Sequence, residues 1–104
     1  MAAVTVSECK FIEQSPNAGL KRIVIVSPAT MDDSDTIAVT LTDVGISPLG
    51  LLYIRGWTHS TANSVIVAEA PTTAVSSGVL TITAGAVGGA NKIRVYEIVG
   101  VSNA

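Results

Sequence analysis

The sequence has little cysteine, little charge and no long apolar run, and each shortage excludes a class of protein. A single cysteine, Cys9, among 104 residues excludes an internal disulfide and a zinc site built on several cysteines. Charged residues make up 13% of the chain, about half the usual share of roughly 25%. The longest aliphatic clusters, Ile23–Val26 and Leu51–Ile54, fall far short of the ~20 apolar residues that span a bilayer. We therefore expect one small domain with neither a disulfide nor a transmembrane segment.

Basic residues are few and scattered, which argues against two kinds of partner. Six lysines and arginines stand against eight acidic residues, for a net charge of −2. Nucleic-acid binding and lysine- or arginine-driven binding to a membrane surface both need a dense positive face, so we expect neither. The N-terminal stretch Met1–Val6 lacks a basic segment followed by a continuous apolar one, so no signal peptide is predicted.

Apolar residues, by contrast, are abundant. Hydrophobic residues make up 48% of the chain, and its mean hydropathy is +0.54. A single core of this size cannot hide that much apolar surface when so few ionisable groups cover it, and contacts between subunits are the simplest place for the excess. We therefore predict a protein that self-associates into a homo-oligomer.

Apolar and polar residues alternate with a period of two along most of the chain, which is typical of β-strands. Turn-forming residues such as those of Ser15–Gly19 separate the alternating segments. The predicted strands are Val4–Glu13, Leu20–Val26, Thr36–Thr42, Leu51–Thr58, Ser64–Ala68, Val79–Thr83 and Lys92–Val99. About seven short antiparallel strands within one domain, residues 1–104, predict an all-β fold, either a β-sandwich or a jelly-roll-like barrel.

Besides the turn Ser15–Gly19 and an acidic loop at residues 29–35, five segments are predicted to lie outside strands. Asp43–Gly50 and residues 69–78 are expected to be loops because both contain glycine, proline and serine. His59–Asn63 is expected to connect a hairpin. The glycine-rich stretch Ala84–Asn91 is expected to join the last two strands as a second hairpin, and residues 100–104 are expected to fray.

No residues combine into a recognisable catalytic or cofactor site. The only histidine, His59, stands beside Ser60, but neighbouring strand residues point to opposite sides, and the G-x-S-x-G elbow of hydrolases is absent. Cys9 lies in a predicted strand, where a cysteine behaves as a small apolar residue. Gly85–Gly89 precedes a strand, whereas a dinucleotide site needs its glycines between a strand and a helix. We expect a protein without enzymatic activity and without a cofactor.

One acidic loop is a candidate site for an ion. Asp32, Asp33 and Asp35 could hold a hard cation such as Ca²⁺, with help from Asp43 or backbone oxygens. The D-x-D-x-D-G spacing of an EF-hand is absent, and such a run is more often a solvated loop in which aspartate caps a turn. The sequence favours the interpretation without a metal.

Tyr53, Arg55 and Trp57 form a candidate platform. Residues two apart on a strand share a face, so the predicted strand Leu51–Thr58 presents these three side chains together. Tyrosine, tryptophan and arginine dominate the energetics of protein interfaces, which favours a subunit contact. Two aromatic rings could equally stack on a sugar in a small carbohydrate-binding module, and at least one ring could instead pack in the core. All three interpretations stay open.

The last quarter of the chain resembles a known class of protein. Val79–Gly85, the glycine-rich turn and Lys92–Gly100 look like the small structural proteins of tailed bacteriophages, such as head-decoration or minor virion proteins. The resemblance implies a β-sandwich or jelly-roll subunit, made in the host cytoplasm and assembled as a homotrimer or larger oligomer that contacts other virion proteins. No functional residue carries over, because no residue-level motif matches.

Overall fold

Alternating apolar residues build two β-sheets that pack face to face in the computed structural model, which describes residues 3–13, 19–86 and 89–102. The strands are β1 (Ala3–Val4), β2 (Lys10–Glu13), β3 (Leu20–Val26), β4 (Thr36–Thr40), β5 (Ile46–Thr61), β6 (Val65–Glu69), β7 (Thr72–Ser76), β8 (Val79–Thr83) and β9 (Arg94–Ser102). Sheet I has the order β1-β4-β8-β7, and sheet II has the order β2-β3-β9-β5-β6. The prediction of a single all-β sandwich is confirmed.

One apolar core fills the space between the sheets. In sheet I, Ile37 and Val39 on β4 lie opposite Ile82 and Leu80 on β8. All four side chains are buried, and they meet buried side chains of sheet II, which are Ile23, Ile25, Tyr96 and Ile98. Full burial of one such side chain contributes about 1.5 to 3 kcal/mol, so this shared core holds the two layers together.

The strand count and one pairing differ from expectation. The described residues form nine strands rather than about seven, because residues 69–78 contain a strand and the predicted first strand is divided into two. Residues 69–78 include β7, which pairs in regular register with β8. In addition, β1 pairs with β4 in parallel, although a fully antiparallel arrangement was predicted.

The predicted first strand, Val4–Glu13, is wrong as a single element. It divides into β1 in sheet I, a 3₁₀ helix at Val6–Glu8, and β2 in sheet II. The Glu8 carboxylate accepts hydrogen bonds from the Thr5 backbone N–H at 3.2 Å and from the Thr5 hydroxyl at 2.9 Å, which closes the turn.

In the described ranges, no helix is long and apolar enough to cross a membrane.

The predicted loop Asp43–Gly50 is also wrong. A second 3₁₀ helix, Leu41–Val44, ends at Gly45, and β5 then begins at Ile46. Beside β9, Ile46 pairs with Ser102 and Leu51 with Gly100, so the residues between them bulge outward and Leu49 is 97% exposed. Bulges tolerate proline and glycine within a strand, which is why loop-like residues occur here.

The predicted C-terminal hairpin does not form. β8 pairs with β4 and β7 in sheet I, whereas β9 pairs with β3 and β5 in sheet II, so residues 84–93 cross from one sheet to the other. The expected fraying is wrong for residues 100–102, since β9 continues to Ser102 and Gly100 is buried. Residues 103 and 104 lie outside the described ranges.

Candidate interaction surface

β5 presents the three platform residues on the side of sheet II that faces away from the core. Ile54, Gly56 and Thr58 pair with the buried residues of β9, so the alternate positions Tyr53, Arg55 and Trp57 point outward. Tyr53 is 45% exposed, the Arg55 side chain is 58% exposed, and Trp57 is half-buried. None of the three belongs to the core, and all lie on one face.

An ion-paired row crosses the middle of this face. The Glu97 carboxylate lies on the central strand β9, 3.0 Å from Arg55 Nη2 on β5 and 3.4 Å from Arg22 Nε on β3. The Arg55 guanidinium carbon is also 5.8 Å from the centre of the Tyr53 ring, within the range of a cation–π contact. Only 14% of the Glu97 side chain is exposed, so the two arginines cover it and present the charge that reaches solvent.

Apolar side chains surround the ion-paired row. Strand register and alternation place Lys10 on β2 and His59 on β5 on the same side. The outer face of sheet II consists of Lys10, Ile12, Leu20, Arg22, Val24, Val26, Tyr53, Arg55, Trp57, His59, Ile66, Ala68, Val95, Glu97, Val99 and Val101. A shallow cavity of about 370 Å³ lies between Trp57, His59, Ile66 and Val95. The face combines an apolar surface, the exposed ring of Tyr53, the half-buried ring of Trp57 and a cluster of basic groups.

A groove lies on the other side of β2, where the edges of the two sheets meet. Two adjoining cavities of about 380 and 410 Å³ share Phe11, Asp43 and Val44. Their remaining lining residues are Val6, Ser7, Glu13, Ile23, Ala38, Val39, Thr40, Thr42 and Gly45. We call this the acidic groove, because its floor is apolar and its charged lining residues, Glu13 and Asp43, are both carboxylates.

A buried polar cluster lies inside the sandwich, beneath the outer face. Arg94 Nη1 and the Thr58 hydroxyl each donate to Glu69 Oε1 at 2.6 Å, and the Tyr96 hydroxyl donates to Glu69 Oε2 at 2.6 Å. The side chains of Glu69 and Arg94 have no exposed area. A buried carboxylate is tolerated when a cation and hydrogen bonds compensate it, and here β5 and β9 supply these partners to the carboxylate on β6.

The same cluster fixes the segment that crosses between the sheets. The Gly85 N–H donates to Glu69 Oε2 at 3.1 Å, Arg94 Nη1 donates to the Gly85 carbonyl at 3.1 Å, and Arg94 Nη2 donates to the Gly89 carbonyl at 2.5 Å. Each Glu69 carboxylate oxygen thus accepts two hydrogen bonds within the protein. This arrangement supports a structural role for the cluster.

Tyr96 shows the effect of this setting on its acidity. Burial raises the pKa of the Tyr96 hydroxyl, and its hydrogen bond to the Glu69 carboxylate raises it further, because both disfavour the phenolate. Tyr96 therefore stays protonated well above the pH at which an exposed tyrosine ionises, and it remains a hydrogen-bond donor to Glu69.

The carboxylates of the acidic loop accept hydrogen bonds from backbone N–H groups, one within the loop and one from Asn91. Asp35 Oδ2 accepts from the Asp32 N–H at 2.9 Å, and Asp32 Oδ1 accepts from the Asn91 N–H at 2.8 Å. Asp33 is exposed and Asp35 is buried, so the three carboxylates do not point to one centre. No group of three or more His, Cys, Asp or Glu side chains that could hold a metal occurs among the residues described.

The other polar candidates lie apart. His59 belongs to β5, rather than to a hairpin connection, and its Nδ1 accepts from the Asn63 N–H at 3.0 Å. Cys9 lies between the first 3₁₀ helix and β2, not within a strand, and burial together with the Glu8 carboxylate raises the pKa of its thiol. Of the glycine-rich stretch, residues 87 and 88 lie outside the described ranges.

Sequence analysis missed Glu69 and Arg94. Glu69 stood at the start of a predicted loop, so nothing indicated that it was buried. Arg94 did carry a signal, because it shares strand parity with Tyr96 and Ile98, both of which are buried. A charged residue on the apolar face of a strand indicates a buried partner of opposite charge.

Comparison with known proteins found no match. No family model, no curated protein and no solved structure is similar to this chain. The function is therefore argued from the surface of the chain itself.

Proposed function

We propose that this chain is a non-enzymatic structural protein that self-assembles, with the outer face of sheet II as its contact surface. The observation that carries the proposal is the grouping of Tyr53, Arg55 and Trp57 on one face whose other members are mostly aliphatic. These three residue types are enriched among the side chains that dominate binding energies. A flat sheet also offers a broad surface without requiring rearrangement on contact.

The energy of assembly comes from removing this apolar face from water. Burial yields about 25 cal/mol per Å² of apolar surface, from which the loss of translational and rotational freedom must be subtracted. The Arg22–Glu97–Arg55 row is already paired within one chain, so burying it leaves one net positive charge rather than three isolated ions. The face can be covered without the full desolvation penalty of unpaired ions.

A virion is the setting that we propose for the assembly. The support is the resemblance of Val79–Gly85 and Lys92–Gly100 to small bacteriophage structural proteins, and a trimer is the oligomer that the resemblance favours. The genes that flank this one test this part of the proposal. Neighbours that encode capsid, portal or tail proteins support it, and a neighbourhood of metabolic enzymes contradicts it.

Light scattering coupled to size-exclusion chromatography tests self-assembly. We expect the wild-type chain to elute as an oligomer, and we expect Tyr53→Ser to raise the dissociation constant of assembly about tenfold or more, equivalent to ~1.4 kcal/mol. The matched control is Val75→Ser on β7 of sheet I, because Val75 is 43% exposed and Tyr53 is 45% exposed. A wild-type chain that stays monomeric at high concentration contradicts the proposal.

A second candidate is a small carbohydrate-binding module, favoured by the shallow cavity beside Trp57 and by the part of this residue that stays accessible to solvent. Sugars stack on aromatic faces of this kind. A glycan array followed by calorimetry tests it. Binding of a glycan that Trp57→Ala abolishes, with the oligomeric mass unchanged, supports the module, and an array without hits removes it.

A further inference from the structure

Charge is distributed unevenly over the molecule. The outer face of sheet II carries three basic side chains, Lys10, Arg22 and Arg55, and one acidic one, Glu97. Three positive charges and one negative charge give this face a net charge of +2. All four residues also count toward the net charge of the whole chain, which is −2. The rest of the chain therefore carries −4, so the outer face is the positive pole of a negative protein.

The acidic groove lies in the negative remainder. Two carboxylates line it, those of Glu13 and Asp43, and the exposed Glu8 follows the lining residue Ser7. Lys21 offsets part of this charge, because its ammonium lies 2.9 Å from Glu13. Asp43 is exposed, and it stands where the two cavities join.

We infer that the outer face of sheet II in one copy docks against the acidic groove of a second copy, so that the protein assembles head to tail. The inference rests on the proposed self-assembly and names the surface that covers the outer face. Both surfaces are apolar with charged groups at defined places, and the charges are of opposite sign. Such complementarity selects the partner and its orientation.

Contact between two outer faces is less favourable for a physical reason. A two-fold contact would bring the excess positive charge of one face against the same excess on its partner, and like charges in contact disfavour association. Docking of face against groove avoids this repulsion. Contact between two different surfaces is heterologous, and it closes into a ring when the rotation between copies permits, or continues as a filament.

The strand β2 separates the two surfaces, which lie on its opposite sides. Lys10 and Ile12 belong to the outer face, whereas Phe11 and Glu13 line the groove. A copy that docks its outer face on a groove therefore leaves its own groove open for the next copy. A ring of few subunits, such as a trimer, is the closed form we expect.

Two variants with opposite defects test the arrangement. Arg55→Glu alters the outer face and leaves the groove intact, while Asp43→Arg alters the groove and leaves the outer face intact. Light scattering of each variant alone should give monomers. An equimolar mixture should give dimers or larger species, because the intact face of the Asp43→Arg variant meets the intact groove of the Arg55→Glu variant, and the two reversed charges are themselves of opposite sign.

The inference would be overturned if the Asp43→Arg variant or the Arg55→Glu variant alone assembled like wild type. It would also be overturned if the equimolar mixture stayed monomeric. None of these three results would contradict self-assembly of the wild-type chain. A wild-type monomer, by contrast, would overturn the proposed function itself. Arg55→Glu places two carboxylates together at Glu97, so Lys10→Glu, an exposed position on the same face, serves as a second face variant. Unchanged circular dichroism and melting temperature show that each variant is folded.

Discussion

At the scale of single residues, the Glu69–Arg94 pair has the largest consequences for stability. Both side chains are fully buried, and they connect β6, β9 and the crossing segment at Gly85 and Gly89. Removing one partner of such a pair leaves an uncompensated charge without access to water. A surface pair of the same chemistry, such as Lys21–Glu13, keeps its solvation when it is broken.

We therefore expect Glu69→Gln to lower the free energy of unfolding by about 3 to 5 kcal/mol. The control, Glu13→Gln, should lower it by ~0.5 kcal/mol, because the Glu13 side chain is 46% exposed. Urea denaturation followed by circular dichroism measures both. Equal losses in the two variants would show that the buried pair contributes no more than the surface pair.

Tyr96 gives a prediction that depends on pH. Its pKa is raised in the folded chain, so the unfolded chain, whose tyrosines ionise near pH ~10, releases this proton first. Stability due to Tyr96 is thus complete below pH ~10 and is lost as the pH rises toward the folded value. Tyr96→Phe should lower stability by about 1 to 2 kcal/mol near neutral pH, through the lost hydrogen bond to Glu69.

The difference between wild type and Tyr96→Phe should then shrink as the pH rises above ~10. Urea titrations of both proteins at several alkaline pH values measure this difference in the free energy of unfolding. Deprotonation of the lysines affects both proteins equally, so it does not contribute to the difference. A difference that stays constant across this range would contradict the shifted pKa.

At the scale of elements, β5 and β9 form the longest strand pairing in the fold. The bulge of β5 between Ile46 and Leu51 packs closely against β9. Gly100 on β9 lies beneath this bulge. A Cβ atom at Gly100 would stand 2.6 Å from Ile46 Cγ2 and 2.9 Å from the Gly50 carbonyl oxygen, closer than atoms can approach without displacement. The bulged segment can pack this closely on β9 only because residue 100 has no side chain.

We expect Gly100→Ala to lower the free energy of unfolding by about 1 to 3 kcal/mol, since the added methyl group overpacks the contact. Val101→Ala is the control, because Val101 neighbours Gly100 on the same strand and is 43% exposed. Thermal unfolding measures both. A Gly100→Ala protein as stable as the control would show that the bulge yields without strain.

The elements also show what the sequence can predict. β3 and β8 match the predicted bounds, Leu20–Val26 and Val79–Thr83, because a β-branched run in β3 and clear alternation in β8 lie between strong turn signals. The predicted strand Thr36–Thr42 is right to Thr40, and its apolar residues Ile37, Val39 and Leu41 are all buried. Beyond Thr40, the chain turns into a 3₁₀ helix that ends at Gly45 in the left-handed conformation, and local alternation does not reveal that turn.

Pairings between distant segments were beyond the reach of the sequence. The hairpin expected from Ala84–Asn91 fails because Arg94 and Glu69 hold part of this stretch against sheet II, an interaction between residues far apart in the chain. The platform of Tyr53, Arg55 and Trp57 was placed on one face by parity alone. The ion pairs that flank Glu97 were not foreseen, because they depend on the order β3-β9-β5 in sheet II.

At the scale of the whole molecule, head-to-tail contact through opposite charges predicts a dependence on salt. Between ~0.1 M and ~1 M NaCl the Debye length falls from about 10 Å to about 3 Å. The dissociation constant of assembly should therefore rise, by about tenfold if the charges contribute ~1.4 kcal/mol. Analytical ultracentrifugation at the two salt concentrations measures it. Assembly that strengthens with salt would indicate a contact held by apolar burial alone.

The position of β9 has a consequence for how the chain folds during synthesis. β9 is the last of the nine strands to leave the ribosome, yet it lies at the centre of sheet II, between β3 and β5. Until it arrives, neither of those strands has its shared neighbour, and their hydrogen-bonding edges stay open to other chains. Before β9 is synthesised, the nascent chain therefore exposes unpaired strand segments. At this stage we expect chaperones and the rate of translation to determine the yield of folded protein.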